Sequence, residues 1–409
     1  MAYIASFAIE GLSGRPDILE YDLEPDVNIF WGLNGSGKTS LLSILDGALS
    51  NQAAHLKDTP FRSASVVLVF RSSLLKRDIV IRRSLVKKMA MAIEDGEIES
   101  TSEMVEIGDG IWTEVTHSAP DEWVTEIVSG VEPGDQQPKI NKLAHVFLPI
   151  SRFSGSTRGG TPLSWGRSRE REFDDETLSA MFEQRVKDRW QRYNSLSSSR
   201  IRAVQQEGLA TILALVFGGS TGSDIAVPSD QSGEAAHGAV TQFLKEQGIT
   251  LKVGVEDFLR RYDKQPELQE VVAKIAEVAE EIEAIMRPQL EFQQAIDRFY
   301  VGDKHLELND RPSLSSRAAS LDIRFGDERV PLKSLSSGEK QMLQLLLEVL
   351  AAGRNAVIID EPELSMHVDW QLKLVKSMMT INPGCQLILA THSPEIMAEI
   401  EDRTVRELV

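Results

Sequence analysis

Cysteine is almost absent from this chain. A single Cys385 occurs among 409 residues, which excludes a disulfide framework and a zinc site made of paired cysteines. The seven histidines show no paired metal-binding spacing. No run approaches the ~18 apolar residues of a membrane-spanning helix, and Met1–Ile4 has no basic leader. We therefore expect a cytoplasmic protein without a membrane partner.

Basic residues are also fewer than acidic residues. The chain has 44 Lys and Arg against 62 Asp and Glu, a net charge of −18, and this charge repels nucleic acid at long range. The exception is a basic cluster from Arg152 to Arg202, but acidic residues interleave with it, as in Arg169–Glu172. The pattern favours a solvated, salt-bridged helix face, and nucleic acid is kept as an open alternative partner.

One stretch predicts a nucleotide site. Gly32–Thr39 reads Gly-Leu-Asn-Gly-Ser-Gly-Lys-Thr and follows a strand-like run, Val27–Trp31. This is the P-loop spacing, in which backbone N–H groups surround phosphate, Lys38 neutralises it and Thr39 holds Mg²⁺. The alternative is a glycine turn that only joins a strand to a helix. The predicted cofactor-binding residues here are Asn34, Gly35, Ser36, Gly37, Lys38, Thr39 and Ser40.

Two carboxylates follow a second apolar run far downstream. Ala356–Asp360 reads as a buried strand, and Glu361 comes directly after it. At the carboxyl end of a strand in an α/β sheet, Asp360 can hold a Mg²⁺-bound water, so Thr39 and Asp360 are the predicted metal ligands. Glu361 is then placed to act as the general base for the attacking water. A solvated turn before Pro362 is the alternative.

Two further motifs complete the pattern. Leu335–Gln341 opens a helix with Ser-Ser-Gly-Glu, and a helix start binds anions through free N–H groups. Gln386–Ser393 is a third apolar strand that ends in Thr-His-Ser, where His392 is predicted to hydrogen-bond the γ-phosphate as a catalytic switch. A helix cap without a ligand and a structural histidine are the respective alternatives.

These motifs, in this order and spacing, resemble the ABC-type ATPases. Within them the chain is similar to the SMC/RecF branch, and most similar to stand-alone ATPases of prokaryotic anti-phage systems, including OLD-family domains and the PARIS and Septu ATPase subunits. The resemblance implies ATP and Mg²⁺ as cofactors and an ATP-linked homodimer. It also implies that Glu363 and Ser365 lie in a loop crossing the dimer interface. The residues it assigns to the γ-phosphate of the second copy are Ser336, Ser337, Gly338 and Glu339.

The chain departs from that family pattern at several positions. Glu339 replaces the usual glutamine of the serine-glycine motif, and Ser337 replaces a glycine. No glutamine stands where the Q-loop is expected, at Val146–Arg152. Arg152 contacts phosphate there or pairs with a carboxylate, and both interpretations stay open.

The middle of the chain predicts a helical insertion. Helices are predicted at about 174–195 and 198–216, after a loop-like stretch at 154–166. A heptad seam follows and ends at Pro288, which predicts a short arm of about 30 Å. Intramolecular packing and association with a partner are both open for this seam, which comprises Leu268, Val271, Ile275, Val278, Ile282 and Ile285.

The predicted fold is α/β. It is a P-loop ABC ATPase head, with a mainly parallel sheet and an antiparallel flank, interrupted by a helical insertion with a short coiled-coil-like arm. The predicted domains are 1–153 and 301–409, the two lobes of the head, and 154–300, the insertion. Only seventeen residues follow His392, so we do not expect an OLD-type nuclease domain there.

The predicted function is ATP hydrolysis to ADP and phosphate. Through ATP-linked dimerisation, with higher oligomers open, the protein would sense or regulate a separate effector, a nuclease or toxin, in anti-phage defence. The alternative is a RecF-like DNA-maintenance clamp that binds duplex DNA.

Overall fold

The structure is a computed structural model, and it describes residues 2–72, 75–87, 102–106, 112–116, 122–132, 135, 140, 142–149, 175–217, 233–246, 250, 252–300, 302–309 and 320–408. Within these residues the helices and strands in chain order are β1 (Ala2–Glu10), β2 (Ile18–Asp22), β3 (Val27–Trp31), α1 (Lys38–Ser50), β4 (Ser63–Arg71), β5 (Asp78–Val86), β6 (Ser102–Glu106), β7 (Trp112–Thr116), β8 (Val124–Ser129), β9 (His145–Leu148), α2 (Asp175–Val216), α3 (Gly233–Glu246), α4 (Val255–Tyr262), α5 (Pro266–Phe299), β10 (Lys304–Asn309), β11 (Ser320–Phe325), β12 (Glu328–Val330), α6 (Ser337–Ala351), β13 (Ala356–Asp360), α7 (Val368–Ile381), β14 (Leu387–Thr391), α8 (Pro394–Met397) and β15 (Val405–Glu407).

Residue contacts divide the chain into two compact units. The first comprises residues 1–189, 292–308 and 321–409, and the second comprises residues 190–291 and 309–320. Both chain ends therefore contribute to the first unit. The sequence-based boundaries at 153/154 and 300/301 stay a prediction.

A five-stranded parallel sheet forms the centre of the first unit. Its order is β15-β3-β14-β13-β9, with parallel pairing throughout. Every residue of β13 and β14 is buried, as expected for apolar strands that are covered on both faces. The carboxyl ends of β3, β13 and β14 therefore lie at one edge of the sheet. β14 separates the P-loop strand from the Asp360 strand.

An antiparallel sheet of order β2-β1-β4-β5-β8 flanks the parallel one. β4 and β5 are rich in Val, Ile and Leu, whose alternate residues are buried. One hydrophobic core joins this sheet, α1 and the parallel strands, with Phe7, Leu41 and Ile358 among its buried side chains. The predicted α/β class with an antiparallel flank is confirmed.

A buried arginine connects the antiparallel flank to the P-loop helix. Arg83 of β5 is fully buried. Its guanidinium donates to the carbonyls of Ala48 and Leu49 at the end of α1, the latter at 3.2 Å, and to the Ile140 carbonyl at 3.2 Å. Burial lowers the pKa of Arg83 to about 10. A cation suits this place because the last carbonyls of a helix carry partial negative charge.

The second unit is helical and has its own core. α4 contributes Phe258 and Tyr262 to this core, and α5 contributes Val272 and Ile275. Gly208 of α2 lies so close to Val278 that a Cβ there would stand 2.3 Å from a Val278 methyl group. Intramolecular packing therefore accounts for this part of the heptad seam.

Two helices run further than the sequence predicted. α2 is continuous from Asp175 to Val216, where two helices were predicted, because the serines near 195–199 cost only a few tenths of a kcal/mol each. α5 continues through Pro288 to Phe299, although an internal proline costs about 3 kcal/mol. Val278 and Phe292, both buried, anchor α5 on either side of this proline.

Some sequence-based predictions fall outside the described residues. These are the loop at 154–166, Arg152, and the arginines 158, 167, 169 and 171 of the basic cluster. Among the described helices, none combines the length and apolar character needed to cross a membrane.

Candidate functional site

The P-loop turns between β3 and α1 through two left-handed glycines. Gly35 has φ +86° and Gly37 has φ +92°, a conformation that side chains with a Cβ rarely adopt. A Cβ at Gly37 would also stand 2.5 Å from Ser13 Oγ. The loop therefore needs glycine at these positions, and α1 begins directly after it at Lys38.

The loop surrounds a cleft of about 320 Å³. Its lining includes every P-loop residue from Asn34 to Ser40, together with Ser13 and Glu361. Ser36 contributes a buried hydroxyl that has no hydrogen-bond partner among the residues that the structure describes. An unpaired buried donor beside a glycine cradle is compatible with a bound phosphate, which would accept its hydrogen bond.

Lys38 is buried at the base of this cleft. Its ammonium donates to the Gly32 carbonyl at 2.7 Å and to the Leu33 carbonyl at 3.2 Å. Its Nζ lies 3.8 Å from Glu361 Oε1. The structure thus places the predicted phosphate-binding cation beside the predicted base.

The two predicted metal ligands touch each other. Thr39 Oγ1 donates to Asp360 Oδ2 at 2.7 Å, across 321 residues of sequence. Asp360 is fully buried and Thr39 is exposed. A hydroxyl and a carboxylate at the mouth of a phosphate cleft are hard oxygen ligands of the kind that Mg²⁺ takes.

Glu361 and His392 form the third part of the site. Glu361 has a left-handed backbone, φ +48°, and its N–H donates to the Ala390 carbonyl at 2.8 Å. Its carboxylate pairs with His392 Nδ1. Burial and the neighbouring Glu363 carboxylate raise the pKa of Glu361. Such a shift makes a carboxylate a stronger base at neutral pH.

Sequence reasoning missed one residue of the cleft wall, Ser13, and one residue that binds the P-loop backbone, Arg15. Ser13 lines the cleft from a left-handed turn, φ +55°. Arg15 donates to the Ser36 carbonyl at 3.0 Å. Both come from the turn after β1. The only signal in the sequence was its two glycines, Gly11 and Gly14, and glycines alone do not show which loop the turn meets.

Glu363 has a place that the sequence did not suggest. The resemblance assigns it to a loop that crosses between two copies, whereas its side chain is only 4% exposed. Its Oε1 accepts hydrogen bonds from Thr391 Oγ1 and from the N–H groups of His392, at 3.1 Å, and Ser393, at 3.2 Å.

The serine-glycine motif forms a helix cap. Ser336 caps α6: its Oγ accepts from Glu339 N at 3.3 Å, and Glu339 Oε2 accepts from Ser336 N at 2.8 Å. The Glu339 carboxylate also pairs with Lys304 Nζ at 2.7 Å. Burial alone would raise the pKa of Glu339, but the bonds from Lys304 and Ser336 hold it below its usual value.

The same motif stays apart from the P-loop cleft of its own chain. Ser336, Ser337, Gly338 and Glu339 are not among the residues that line the cleft. Ser336 and Ser337 are exposed, while Gly338 packs so tightly that a Cβ would stand 2.7 Å from the Ser365 carbonyl oxygen. The first turn of α6 therefore leaves these two serines open to solvent.

Part of the described basic cluster is paired. Lys187 pairs with Glu183, at 2.5 Å, and Arg189 pairs with Glu348, at 2.8 Å. Glu348 also acts electrostatically on Arg185. The salt-bridged interpretation therefore holds for Lys187 and Arg189, and for the rest of the cluster it stays a prediction.

Known proteins resemble this chain in sequence. The family model described as "AAA domain, putative AbiEii toxin, Type IV TA system" matches residues 127–398. The Retron Vc95 probable ATPase of Vibrio cholerae serotype O1 biovar El Tor is 24% identical over 186 residues, which are 41% of this chain and 35% of that protein. The Retron Ec83 probable ATPase of Escherichia coli is 27% identical over 108 residues, 23% of this chain and 20% of that protein. The matches thus span about a third and a fifth of the two relatives.

Two solved structures also align with the chain. One is the Smc head domain of Pyrococcus furiosus, with an extended coiled coil and bound to the C-terminal domain of ScpA. It has a TM-score of 0.43 at 12% identity, and the alignment covers 97% of this chain and 92% of that one. The other is an Smc head bound to the C-winged helix domain of ScpA, with a TM-score of 0.39 at 14% identity and coverage of 97% and 91%.

Proposed function

We infer that this chain, which belongs to the AAA-domain family described as a putative AbiEii toxin of Type IV TA systems, is an ATPase whose two copies close on ATP. The observation that carries the inference is the meeting of Lys38, the Thr39–Asp360 pair and Glu361 at one cleft. These residues come from opposite ends of the chain. Their types and positions match the needs of phosphoryl transfer to water.

Each side chain of the cleft has a separate task in this reaction. The P-loop amides and Lys38 bind the β- and γ-phosphates of ATP. Thr39 and Asp360 would hold Mg²⁺, which supplies positive charge to the phosphate oxygens. Glu361 accepts a proton from the attacking water, and the His392 ring bound to its Oε2 keeps that carboxylate oriented.

Exposed apolar side chains in the P-loop and in the segment after Glu361 are compatible with the closing of two copies. Leu33 in the P-loop is 83% exposed, and Leu364 and Val368, which follow Glu361, are 43% and 48% exposed. Large exposed apolar residues around a polar site are typical of an interaction surface. Ser336 and Ser337 at the free start of α6 are then available to the ATP held by the second copy.

Mixing two inactive variants tests the shared site. Lys38→Ala removes the P-loop function, and Ser337→Arg places bulk at the start of α6 while the Ser336 cap stays intact. Each variant alone is expected to be inactive. In an equal mixture, half of the pairs are mixed and each holds one intact site of two, so ATPase activity should return to about a quarter of wild type. A mixture as inactive as its components would show that both motifs act within one chain.

We also propose that the ATPase cycle controls a separate effector, a nuclease or toxin, in anti-phage defence. The family description names a toxin and a toxin–antitoxin system, and the curated relatives are retron ATPases. Among the described residues, one group of three potential metal-ligating side chains was found, Glu361, Glu363 and His392, and it belongs to the ATPase site. A change between open and closed pairs would present two different surfaces to an effector.

Purified protein with ATP and Mg²⁺ is accordingly expected to leave plasmid, linear DNA and tRNA intact. The acidic net charge of −18 also disfavours solitary action on DNA. Gel assays over a range of divalent metals provide the measurement. Metal-dependent cleavage that persists in an Asp360→Ala variant would contradict the proposal, because it would require a nuclease site elsewhere in this chain.

A further inference from the structure

A single carboxylate oxygen collects three donors from the turn that carries the histidine. β14 ends at Thr391, and the amides of His392 and Ser393 follow it. All three donors, the Thr391 hydroxyl and these two N–H groups, point at Oε1 of Glu363. A carboxylate that accepts several such bonds is fixed in place, because bonds to an ionised acceptor are the stronger kind.

Glu363 belongs to the turn that also carries the proposed base. This turn contains two residues with left-handed backbones, Glu361 at φ +48° and Ser365 at φ +62°. Such conformations cost of order 1–3 kcal/mol each and persist only where surrounding contacts impose them. The Glu361 N–H bonds to Ala390, and its carboxylate bonds to His392. The turns at 361–365 and 390–393 are therefore tied together at several points.

We propose that Glu363 is a positioning residue, which holds the backbone of the 391–393 turn so that the His392 ring stays against Glu361. This inference rests on the proposed ATPase function of the same cleft. His392 itself is half exposed, with a side chain 52% accessible, so little packing fixes its ring. Glu363 Oε1 fixes the main chain on either side of the ring through these three bonds, and it also lies 3.3 Å from His392 Nδ1.

Substitution of Glu363 distinguishes a role in positioning the His392 ring from a role in the stability of the fold alone. In Glu363→Ala the three bonds to Oε1 are lost, although the Ser393 N–H keeps the Thr391 hydroxyl as an acceptor at 3.0 Å. The kcat should therefore fall about 30- to 100-fold, the usual cost of losing a supporting contact in an active site. ATP affinity should stay within about threefold, since the phosphate-binding residues are untouched. Glu363→Gln keeps one acceptor oxygen and should lose only about 3- to 10-fold in kcat.

Two further variants complete the experiment. Thr391→Val removes, with little change in shape, the hydroxyl that donates to Glu363 and accepts from the Ser393 N–H. It should lower kcat about threefold without affecting ATP affinity. Glu395→Gln is the matched control, because Glu395 contacts the same turn only through the Ser393 hydroxyl, and it should retain wild-type kcat. If Glu363→Ala does not fold, Glu363→Gln and Thr391→Val decide the question through kcat and ATP affinity measured separately.

The outcomes distinguish a failure of the positioning role of Glu363 from a failure of the proposed ATPase function. Should Lys38→Ala and Glu361→Gln both hydrolyse ATP normally, the ATPase site itself is wrong. Should those two variants be inactive while folded Glu363 variants lose thermal stability but keep wild-type kcat, Glu363 is only a structural residue and the positioning role is overturned. Equal losses of kcat in Glu395→Gln would also overturn it.

Discussion

Replacing Lys38 by alanine is expected to abolish detectable ATP binding. The ammonium is the buried cation of the cleft, and its present acceptors are the P-loop carbonyls of Gly32 and Leu33. With ATP bound, the same group would neutralise β- and γ-phosphate charge, so its loss leaves that charge facing a carboxylate, Glu361, at close range. An affinity loss of at least about 100-fold, equivalent to about 2.7 kcal/mol, is the expected size.

Titration of the purified variant with a fluorescent ATP analogue gives this affinity. Lys376→Ala is the matched control, because Lys376 lies on the exposed surface and pairs with Glu399. The control should bind as the wild type does. Wild-type affinity in Lys38→Ala would mean that the P-loop cleft is not where ATP binds.

Glu361→Gln should separate binding from hydrolysis. The amide is close in shape to the carboxylate but cannot accept a proton from water, and loss of a general base commonly costs 10²–10⁴-fold in rate. Thr39 and Asp360 are unchanged, so ATP and Mg²⁺ should still bind. Because hydrolysis no longer opens the pair, ATP-bound dimer should accumulate.

Single-turnover hydrolysis and light scattering after gel filtration with ATP measure these two effects. Asp360→Asn is the contrasting variant: it removes the metal ligand, so it should lose both turnover and the ATP-dependent dimer. A Glu361→Gln protein with wild-type turnover would remove Glu361 from the mechanism. One that is inactive but monomeric with ATP would instead contradict the role of ATP in joining two copies.

The parts of the fold that the sequence predicted are those encoded locally. A P-loop needs glycines at fixed positions, and a buried parallel strand needs a continuous apolar run, so β3, β13 and β14 could be located from the sequence. Enzyme class followed from these motifs, and the family match confirms an AAA-domain ATPase. The length of α2 and the passage of α5 through Pro288 depend on tertiary packing, which overrides the weak local preference of serine and the stronger one of proline.

At the candidate site, too, residues in local motifs were predictable and residues placed by long-range contacts were not. Lys38, Thr39, Asp360, Glu361 and His392 each stand in a recognisable motif. The structure brings them close together, and their roles toward ATP stay a prediction. Ser13 and the bonding role of Glu363 were not predictable, because both depend on contacts between distant parts of the chain. Ser13 meets Gly37, 24 residues away, and Glu363 bonds to Thr391 and Ser393, 28 and 30 residues away. Ser336 to Glu339 stay candidates for the ATP of a second copy, because they do not line the cleft of their own chain.

Arg83 has a consequence for how the molecule opens. The guanidinium that closes the end of α1 is anchored in β5 and also bonds to Thr125 of β8. Pulling β5 out of its sheet would remove this donor from the last carbonyls of α1. The outer strands and the phosphate-binding helix therefore form one cooperative unit of unfolding. A protease that cuts the antiparallel flank is therefore expected to abolish nucleotide binding without contacting the nucleotide cleft.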